Sequence, residues 1–267
     1  MAHDGTRAMI PHDAFLELAP YYDRIMDHVN YDRWYIITMA VAGMLSPSFT
    51  HLDAACGTGT LIKRLRAKGW KSVGTDVSYA MIRAGRKPGA GFPAAAADLR
   101  ALPMCGGVDY VTCLFDSVNF LLTLEDVTRC FMEIRRALSP QGIFYFDIVT
   151  ERMVTEHFED QEWSENNGRF STTWRSRYSR KTNIAETTVK VEDGPEGTVR
   201  ERIYTQAEIE QAIDSAGLHL LGVFDAHTWK PPHKRTVRID FVAARDNSRA
   251  LRKRFESVYA EVRRQFT

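Results

Sequence analysis

The sequence has almost no net charge, few cysteines and no long apolar run, and each scarcity removes a class of function. Its 35 basic and 34 acidic side chains leave a formal charge of +1 over 267 residues. No overall field therefore draws the chain toward nucleic acid or an anionic surface, and such a partner would need a local patch. No stretch is apolar for long enough to cross a bilayer, and the opening residues, Met1 to Gly5, contain no basic segment leading into an apolar one. A cytoplasmic protein with no membrane partner is expected. The cysteines, Cys56, Cys105, Cys113 and Cys130, form no C-x-x-C pair and have no histidine at ligand spacing. Reduced, mostly packed thiols follow, with no metal site. Internal repeats and low-complexity tracts are absent too.

What is present is an alternation of strand-like and helix-like segments, the pattern of a parallel sheet. Apolar runs at Phe49 to Ala54, Val108 to Phe115 and Gly142 to Ile148 suit strands covered on both faces, and Lys71 to Thr75 reads as a second strand between the first two. Between them, Leu124, Val127, Phe131, Ile134 and Leu138 form a helical stripe opened by Thr123 and Asp126, with Pro140 and Gly142 expected to stop it. Thr205 and Glu208 make a second capping signature, before a helix that Gly217 can end. His219 to Ala226 and Thr236 to Ala244 read as an antiparallel pair around Pro231 and Pro232.

The stretch from Trp163 to Tyr204 breaks the alternation. It is rich in threonine, arginine and aromatic residues, and Asp193 to Gly197 reads as a hairpin turn, so an antiparallel flap is expected. The first forty or so residues are expected to be helical, with Phe15, Leu18, Tyr22, Ile25, Met26 and Val29 at helical spacing. A last helix carries Leu251, Phe255, Val258, Val262 and Phe266 on one stripe.

The segment bearing chemistry runs from His51 to Thr60, where a strand ends in Asp53 and the chain turns through Gly57 and Gly59 into a helix. Residues without a Cβ let backbone approach a ligand, and the helix start supplies unpaired N–H donors. Glycine is also used in such turns for steric reasons alone. Asp76 strengthens the functional reading, because it ends the next strand at the distance where a carboxylate accepts the hydroxyls of a ribose. A third glycine, which a dinucleotide pyrophosphate needs, is missing: Thr60, Leu61 and Ile62 open the helix instead.

Taken together, Asp53 to Gly59, Asp76, Ala97 to Leu99 and Asp109 to Asp116 resemble, in order and spacing, the successive motifs of class I S-adenosylmethionine-dependent methyltransferases, of the bacterial small-molecule type. The resemblance spans roughly residues 48 to 245 and implies an α/β fold. Its mostly parallel seven-stranded sheet would be flanked by helices, with an antiparallel last strand, the inserted antiparallel flap and N-terminal lid helices. The implied division is a helical lid over 1–47, a Rossmann-like core over 48–150 and 205–246, a flap over 160–204 and a C-terminal helix over 247–267. S-adenosylmethionine is the implied cofactor. Asp53, Ala55, Gly57 and Gly59 would then lie along its methionine and ribose parts, Asp76 would bind the ribose, and Val77 and Met81 would flank the adenine. Asp98 and Leu99 would meet the adenine amine, and Leu114 and Phe115 the methionine portion.

Methyl transfer from a sulfonium is an in-line displacement, so positioning dominates and a catalytic base is optional. Asp116 and Asn119, following the fourth strand, are the catalytic candidates; capping or fixing the loop is the competing reading. The N-terminal Tyr22, Tyr31 and Trp34 resemble the helices that close over the cofactor, where rings attract a sulfonium, although such a stripe also suits plain core. Tyr31, Asp147, His157, Trp174 and Arg175 are candidates for contacting the acceptor, with the solvated face of a flap as the alternative for the last two. His227 lies near the same end of the sheet.

The expected function is methyl transfer to a nitrogen or oxygen of a small-molecule acceptor by a monomer or homodimer. Two other readings stand beside it. A nucleic-acid methyltransferase is disfavoured, because Asp116 to Asn119 replaces the Asn/Asp-Pro-Pro-aromatic segment and no basic domain is appended. A catalytically silent cofactor-binding protein would keep the same motifs.

Overall fold

A computed structural model describes residues 13–86, 91–166 and 168–266. The first strands are β1 (Thr50–Ala54), β2 (Lys71–Asp76), β3 (Ala94–Ala96), β4 (Val108–Cys113) and β5 (Leu138–Val149), and all five run parallel. After the flap come β10 (His219–Asp225) and β11 (Arg238–Ala244), which complete a seven-stranded sheet of order β10-β11-β5-β4-β1-β2-β3. Only β11 runs against its neighbours, on both sides.

The middle of this sheet is buried on both faces, and β5 illustrates why its sequence is almost unbroken in apolar residues. Phe144, Phe146 and Ile148 point to one face, where they meet Val127, Phe131 and Ile134 of α5 (Leu124–Ala137) and Ile209, Ala212 and Ile213 of α7 (Gln206–Ser215). Ile143 and Tyr145 point to the other face and meet α2 (Asp32–Ala42) and α8 (Arg249–Gln265) through Trp34, Ile37, Leu251 and Phe255. Fully burying each such side chain is worth about 1.5–3 kcal/mol, so β5 is anchored from both faces. Thr205 and Glu208 form the expected reciprocal cap on α7, and Gly217 takes φ +71° beyond it.

The remaining helices are short: α1 (Tyr22–Ile25), α3 (Thr60–Ala67), α4 (Tyr79–Gly85) and α6 (Glu151–His157). Between α6 and α7 four strands form a separate antiparallel sheet, β6 (Glu162–Asn166), β7 (Ser171–Ser179), β8 (Ile184–Val191) and β9 (Glu196–Arg202). The flap is therefore present, with Asp193 at φ +51° in the β8–β9 turn.

Two expectations need correction. The N-terminal segment is not one continuous helix: residues 14–21 are consecutive turns, and Asn30 Oδ1 accepts from the Asp32 N–H to start α2 afresh. Pro20 supplies the reason, since it lacks an N–H and pushes the residue before it out of helical conformation. Residues 1–12 of the expected lid lie outside the described residues. Pro140 and Gly142 do not follow a loop after α5; they lie inside β5, where the β4–β5 pairing skips from Val108 opposite Leu138 to Tyr110 opposite Ile143. An irregularity in the ladder accommodates the missing proline donor. The described residues contain no helix long and apolar enough to cross a membrane, and the four cysteines are unpaired.

Candidate active site

The carboxyl ends of the parallel strands, the turns of residues 13–31 and the inner face of the flap enclose one cavity of about 1010 Å³. That is at the upper end of what one drug-sized ligand occupies, so it has room for a nucleoside and a second small molecule. Most of the expected cofactor residues line it: Asp53, Ala55, Gly57, Asp76, Val77, Met81, Asp98, Leu99, Leu114 and Phe115, with Tyr22 and Trp34 from the N-terminal segment.

The loop after β1 is built by alternating left-handed residues, Ala55 at φ +59°, Gly57 at φ +54° and Gly59 at φ +77°. Gly59 faces away from the cavity; a Cβ there would stand 2.4 Å from the Phe92 ring, so glycine lets the chain pass that ring as it enters α3. Gly57 N–H donates to Asp76 Oδ2 at 2.7 Å, and Ser78 N–H donates to Asp76 Oδ1 at 2.8 Å. The loop and the carboxylate that ends β2 are thus fixed to each other. Behind them α4 packs so closely that a Cβ on Gly85 would lie 2.0 Å from the Thr58 carbonyl oxygen.

Three carboxylates line this end of the cavity, and their environments differ. Burial pushes the Asp53 carboxyl up to about 7, although the Thr112 hydroxyl donates to it at 2.6 Å and favours the ionised form. Burial also raises Asp76, against its two backbone donors. Asp98 goes the other way, held below the usual range by Arg100, which bonds both its oxygens and pairs with Asp126 at 3.1 Å. A carboxylate has about four acceptor positions, so Asp98 retains capacity for an exocyclic amine. Two buried carboxylates that form no ion pair among the described residues suit a positively charged ligand. A left-handed turn with those acids at the tips of β1 and β2 fits the charge of an adenosyl sulfonium.

At the end of β4 the chain takes two successive left-handed residues without glycine, Phe115 at φ +63° and Asp116 at φ +52°. Such a pair costs of order 1–3 kcal/mol per residue and persists only when its surroundings dictate it. Asp147 does so. Its Oδ1 accepts from Phe115 N–H at 2.7 Å and from Trp34 Nε1 at 3.2 Å, and its Oδ2 accepts from Asp116 N–H at 3.2 Å. Arg238 pairs with Asp147 and, at 3.2 Å, with Asp116. Burial opposes the Arg238 charge, but Asp116 and Asp147 outweigh it and keep the guanidinium protonated. Its carbon lies 5.3 Å from the Trp34 ring centre and 5.5 Å from that of Phe115. Tyr31 stacks on Phe115 at 5.7 Å, completing an aromatic corner.

Asp116, Tyr31 and Trp174 line the cavity as expected; other acceptor candidates do not. Asp147 is fully buried and holds backbone rather than facing a ligand. Asn119 is likewise buried off the cavity: its Nδ2 donates to Arg202 O at 2.8 Å and its Oδ1 accepts from Val149 N–H at 3.1 Å, fastening the flap to β5. Arg175 is exposed and pairs with Glu162, because strand alternation sends it to the face opposite Trp174. His157 ends α6 in solvent against Phe158, and His227 is exposed in a turn. Of the flap's aromatic and basic mixture, the rings turn inward, with Trp163 stacked on Trp174 at 5.5 Å, while Arg175 and Arg177 turn outward.

Sequence reasoning missed the residues that close the site. Asp13 accepts from the Ser78 hydroxyl at 2.7 Å and Asp23 from the Thr58 hydroxyl at 2.5 Å, pinning the N-terminal turns to the cofactor-loop side. Glu201 of β9 and Arg238 of β11 line the cavity too. The charges in Arg238-Ile-Asp240, inside an otherwise apolar strand, were the available signal for Arg238; Glu201 sits in a charged run that reads as solvated.

Residues 52–142 match a family described as a methyltransferase domain. The Bacillus subtilis protein YqeM, provisionally described as a methyltransferase, is 29% identical over 86% of this chain and 96% of its own length. Among solved structures, an S-adenosylmethionine-dependent methyltransferase from Clostridium acetobutylicum superposes with a TM-score of 0.75 at 23% identity, over 86% of this chain and 98% of its own. CalS10, an amino pentose methyltransferase from Micromonospora echinaspora solved with S-adenosylmethionine, gives 0.65 at 20% identity over 85% and 96%. Residues 52–142 thus match a methyltransferase domain, and the chain shares the fold of these solved S-adenosylmethionine-dependent methyltransferases.

Proposed function

We propose that the chain transfers the methyl group of S-adenosylmethionine to a nitrogen or oxygen of a small molecule by in-line displacement, and that the cavity holds both reactants. The observation that carries this reading is the make-up of its walls. Asp53, Asp76 and Asp98, at or beyond the tips of three adjacent parallel strands, form one end, and the flap closes the other with Trp163, Trp174 and Glu201. A chamber closed by a second sheet and by residues 13–31 suits a small acceptor better than a polymer.

When bound, the cofactor supplies a methyl carbon activated by its attachment to positively charged sulfur. The chain's own work is to orient and to dry the site. Asp76 would accept the ribose hydroxyls and Asp98 the adenine amine, with Val77 and Met81 flanking the base. Ala55 and Gly57 would let the backbone pass the methionine and ribose parts, beside Asp53. Asp147 and Arg238 hold Phe115 and Asp116 in their left-handed conformation, so the Asp116 carboxylate stands at a fixed point on the cavity wall, where it would meet the acceptor. CalS10, an amino pentose methyltransferase of the same fold, supports a sugar-sized acceptor.

The test is calorimetry with S-adenosylhomocysteine, followed by transfer of labelled methyl from S-adenosylmethionine to a panel of amino sugars, small amines, phenols and transfer RNA. Saturable binding and label on a small molecule are expected. Label on RNA alone, or binding with no transfer to any acceptor, would overturn the reading.

A further inference from the structure

Glu201 is a flap residue whose carboxyl reaches the cavity beside Asp116, and it is the one acid there that neither caps a backbone turn nor pairs with an arginine in the described structure. Its Oε1 is sealed from water, and the carboxyl faces that of Asp116 closely enough to share a hydrogen bond with it. Two carboxyls that face each other in a buried site hold one proton between them and keep acceptor positions that a donor on a ligand can complete. We propose that Glu201 and Asp116 act together as the acceptor-side catalytic pair, binding the nitrogen of an amine acceptor and taking the proton it loses on methylation.

Charge counting around the pair supports a cationic or proton-donating acceptor. Arg238 is the cation within reach of Asp116 and Asp147, and the neighbouring Asp240 is served separately by Arg33 at 2.8 Å. Asp147, Asp116 and Glu201 would therefore carry three negative charges against one positive. That excess is relieved either by a shared proton or by an ammonium. Burial and the facing Asp116 hold the Glu201 carboxyl protonated well above the usual range, with Arg238 opposing weakly. Tyr22 and Tyr31 approach Asp116 from the N-terminal turns; burial, with Asp116 among the nearby charges, raises both phenols, so they stay neutral through the physiological range.

The step balances. An acceptor arriving as an ammonium gives one proton to the ionised member of the pair. The freed nitrogen lone pair then forms the bond to the methyl carbon, and the carbon–sulfur bond breaks with its electrons on sulfur, leaving a neutral thioether. The methylated nitrogen holds the positive charge until the product leaves, and the pair returns its proton to water. Much of the acceptor wall is apolar, with Met153, Phe158, Trp163, Trp174, Val189 and Val199, beside the polar Glu165, Thr187, Thr198 and Arg200. An amine with an aromatic or otherwise apolar body matches both ends.

This inference rests on the methyl-transfer reading, and its test separates the two. The probes are 2-phenylethylamine and its neutral counterpart 2-phenylethanol, titrated into the protein saturated with S-adenosylhomocysteine. The amine should bind at least about tenfold more tightly, and Glu201→Gln or Asp116→Asn should each remove that preference, with S-adenosylhomocysteine affinity held within about twofold. An alcohol bound as tightly as the amine, variants that keep the preference, or no binding of either probe would overturn the proposal. Failure of the wild-type protein to bind S-adenosylhomocysteine would instead overturn the methyl-transfer reading. A second readout needs no folded variant beyond one for assignment. In protein labelled at glutamate carboxyl carbons, the resonance missing from Glu201→Gln should report a protonated acid at pH 7 and shift when the amine is added. A Glu201 carboxyl fully ionised at pH 6 would contradict the shared proton.

Discussion

Replacing Asp53 by asparagine should stabilise the protein and weaken its response to pH, in a way the buried carboxyl specifies. In the folded chain Asp53 is lifted from 3.8 to about 7, chiefly by burial. Below about pH 4 the group is neutral whether the chain is folded or not, and it contributes nothing to pH dependence. Between about 4 and 7 the unfolded chain gives up the proton and the folded chain retains it, so stability falls as pH rises; above 7 the penalty is complete. The full difference corresponds to roughly 4 kcal/mol. Asparagine keeps an acceptor for the Thr112 hydroxyl and cannot ionise. If half of that difference is recovered, about 2 kcal/mol, the melting temperature at pH 8 should rise by roughly 4–8 °C, with almost no rise at pH 4. Cofactor binding should respond in the opposite sense. A sulfonium beside Asp53 favours its carboxylate, so wild-type affinity for S-adenosylmethionine should strengthen between pH 6 and 8, and the variant should bind more weakly with a flatter profile. Scanning calorimetry and titration calorimetry across pH 4–8 check both. An equal rise in melting temperature at pH 4 and 8, or a wild-type affinity independent of pH, would refute the reasoning.

Three further substitutions probe how the site is held. Gly85→Ala drives a methyl into the Thr58 backbone, 2.0 Å from its carbonyl oxygen; displacing the cofactor loop should cost about 1–3 kcal/mol in urea unfolding and at least about tenfold in S-adenosylhomocysteine affinity. Arg238→Met strips the cation from Asp147 and Asp116 and should destabilise the protein by about 3–5 kcal/mol in urea unfolding. Asn119→Ala leaves the Arg202 carbonyl and the Val149 N–H unpaired, which should cost about 2–4 kcal/mol in chemical unfolding with the cofactor affinity little changed.

The fold was legible where one local pattern decided it. β1 and β4 read correctly because their apolar runs end in turn residues, and α7 because Thr205 and Glu208 cap it reciprocally. The end of the cavity at the tips of β1 and β2 was legible because the glycine turn and Asp76 are close in sequence. The acceptor end was not, because tertiary pairing decides it. Asn119 and Asp147 carry the polar groups a ligand site needs, yet both are consumed in holding backbone. Glu201 comes from a strand more than eighty residues beyond Asp116 and looks solvated in its charged run. The segment from Phe15 to Val29 has helical spacing, but Pro20 and the fresh start at Asn30 break it into turns that Asp13 and Asp23 tie down.

The cradle between the β1 turn and Asp76 is tested most directly by titrating wild-type protein and Asp76→Ala with S-adenosylhomocysteine, with nicotinamide adenine dinucleotide as competitor. The wild type should bind one equivalent, undisturbed by the dinucleotide, and loss of a charge-assisted hydrogen bond worth about 1.5–3 kcal/mol should weaken the variant at least about tenfold. An unchanged dissociation constant in Asp76→Ala, or displacement by the dinucleotide, would contradict the account.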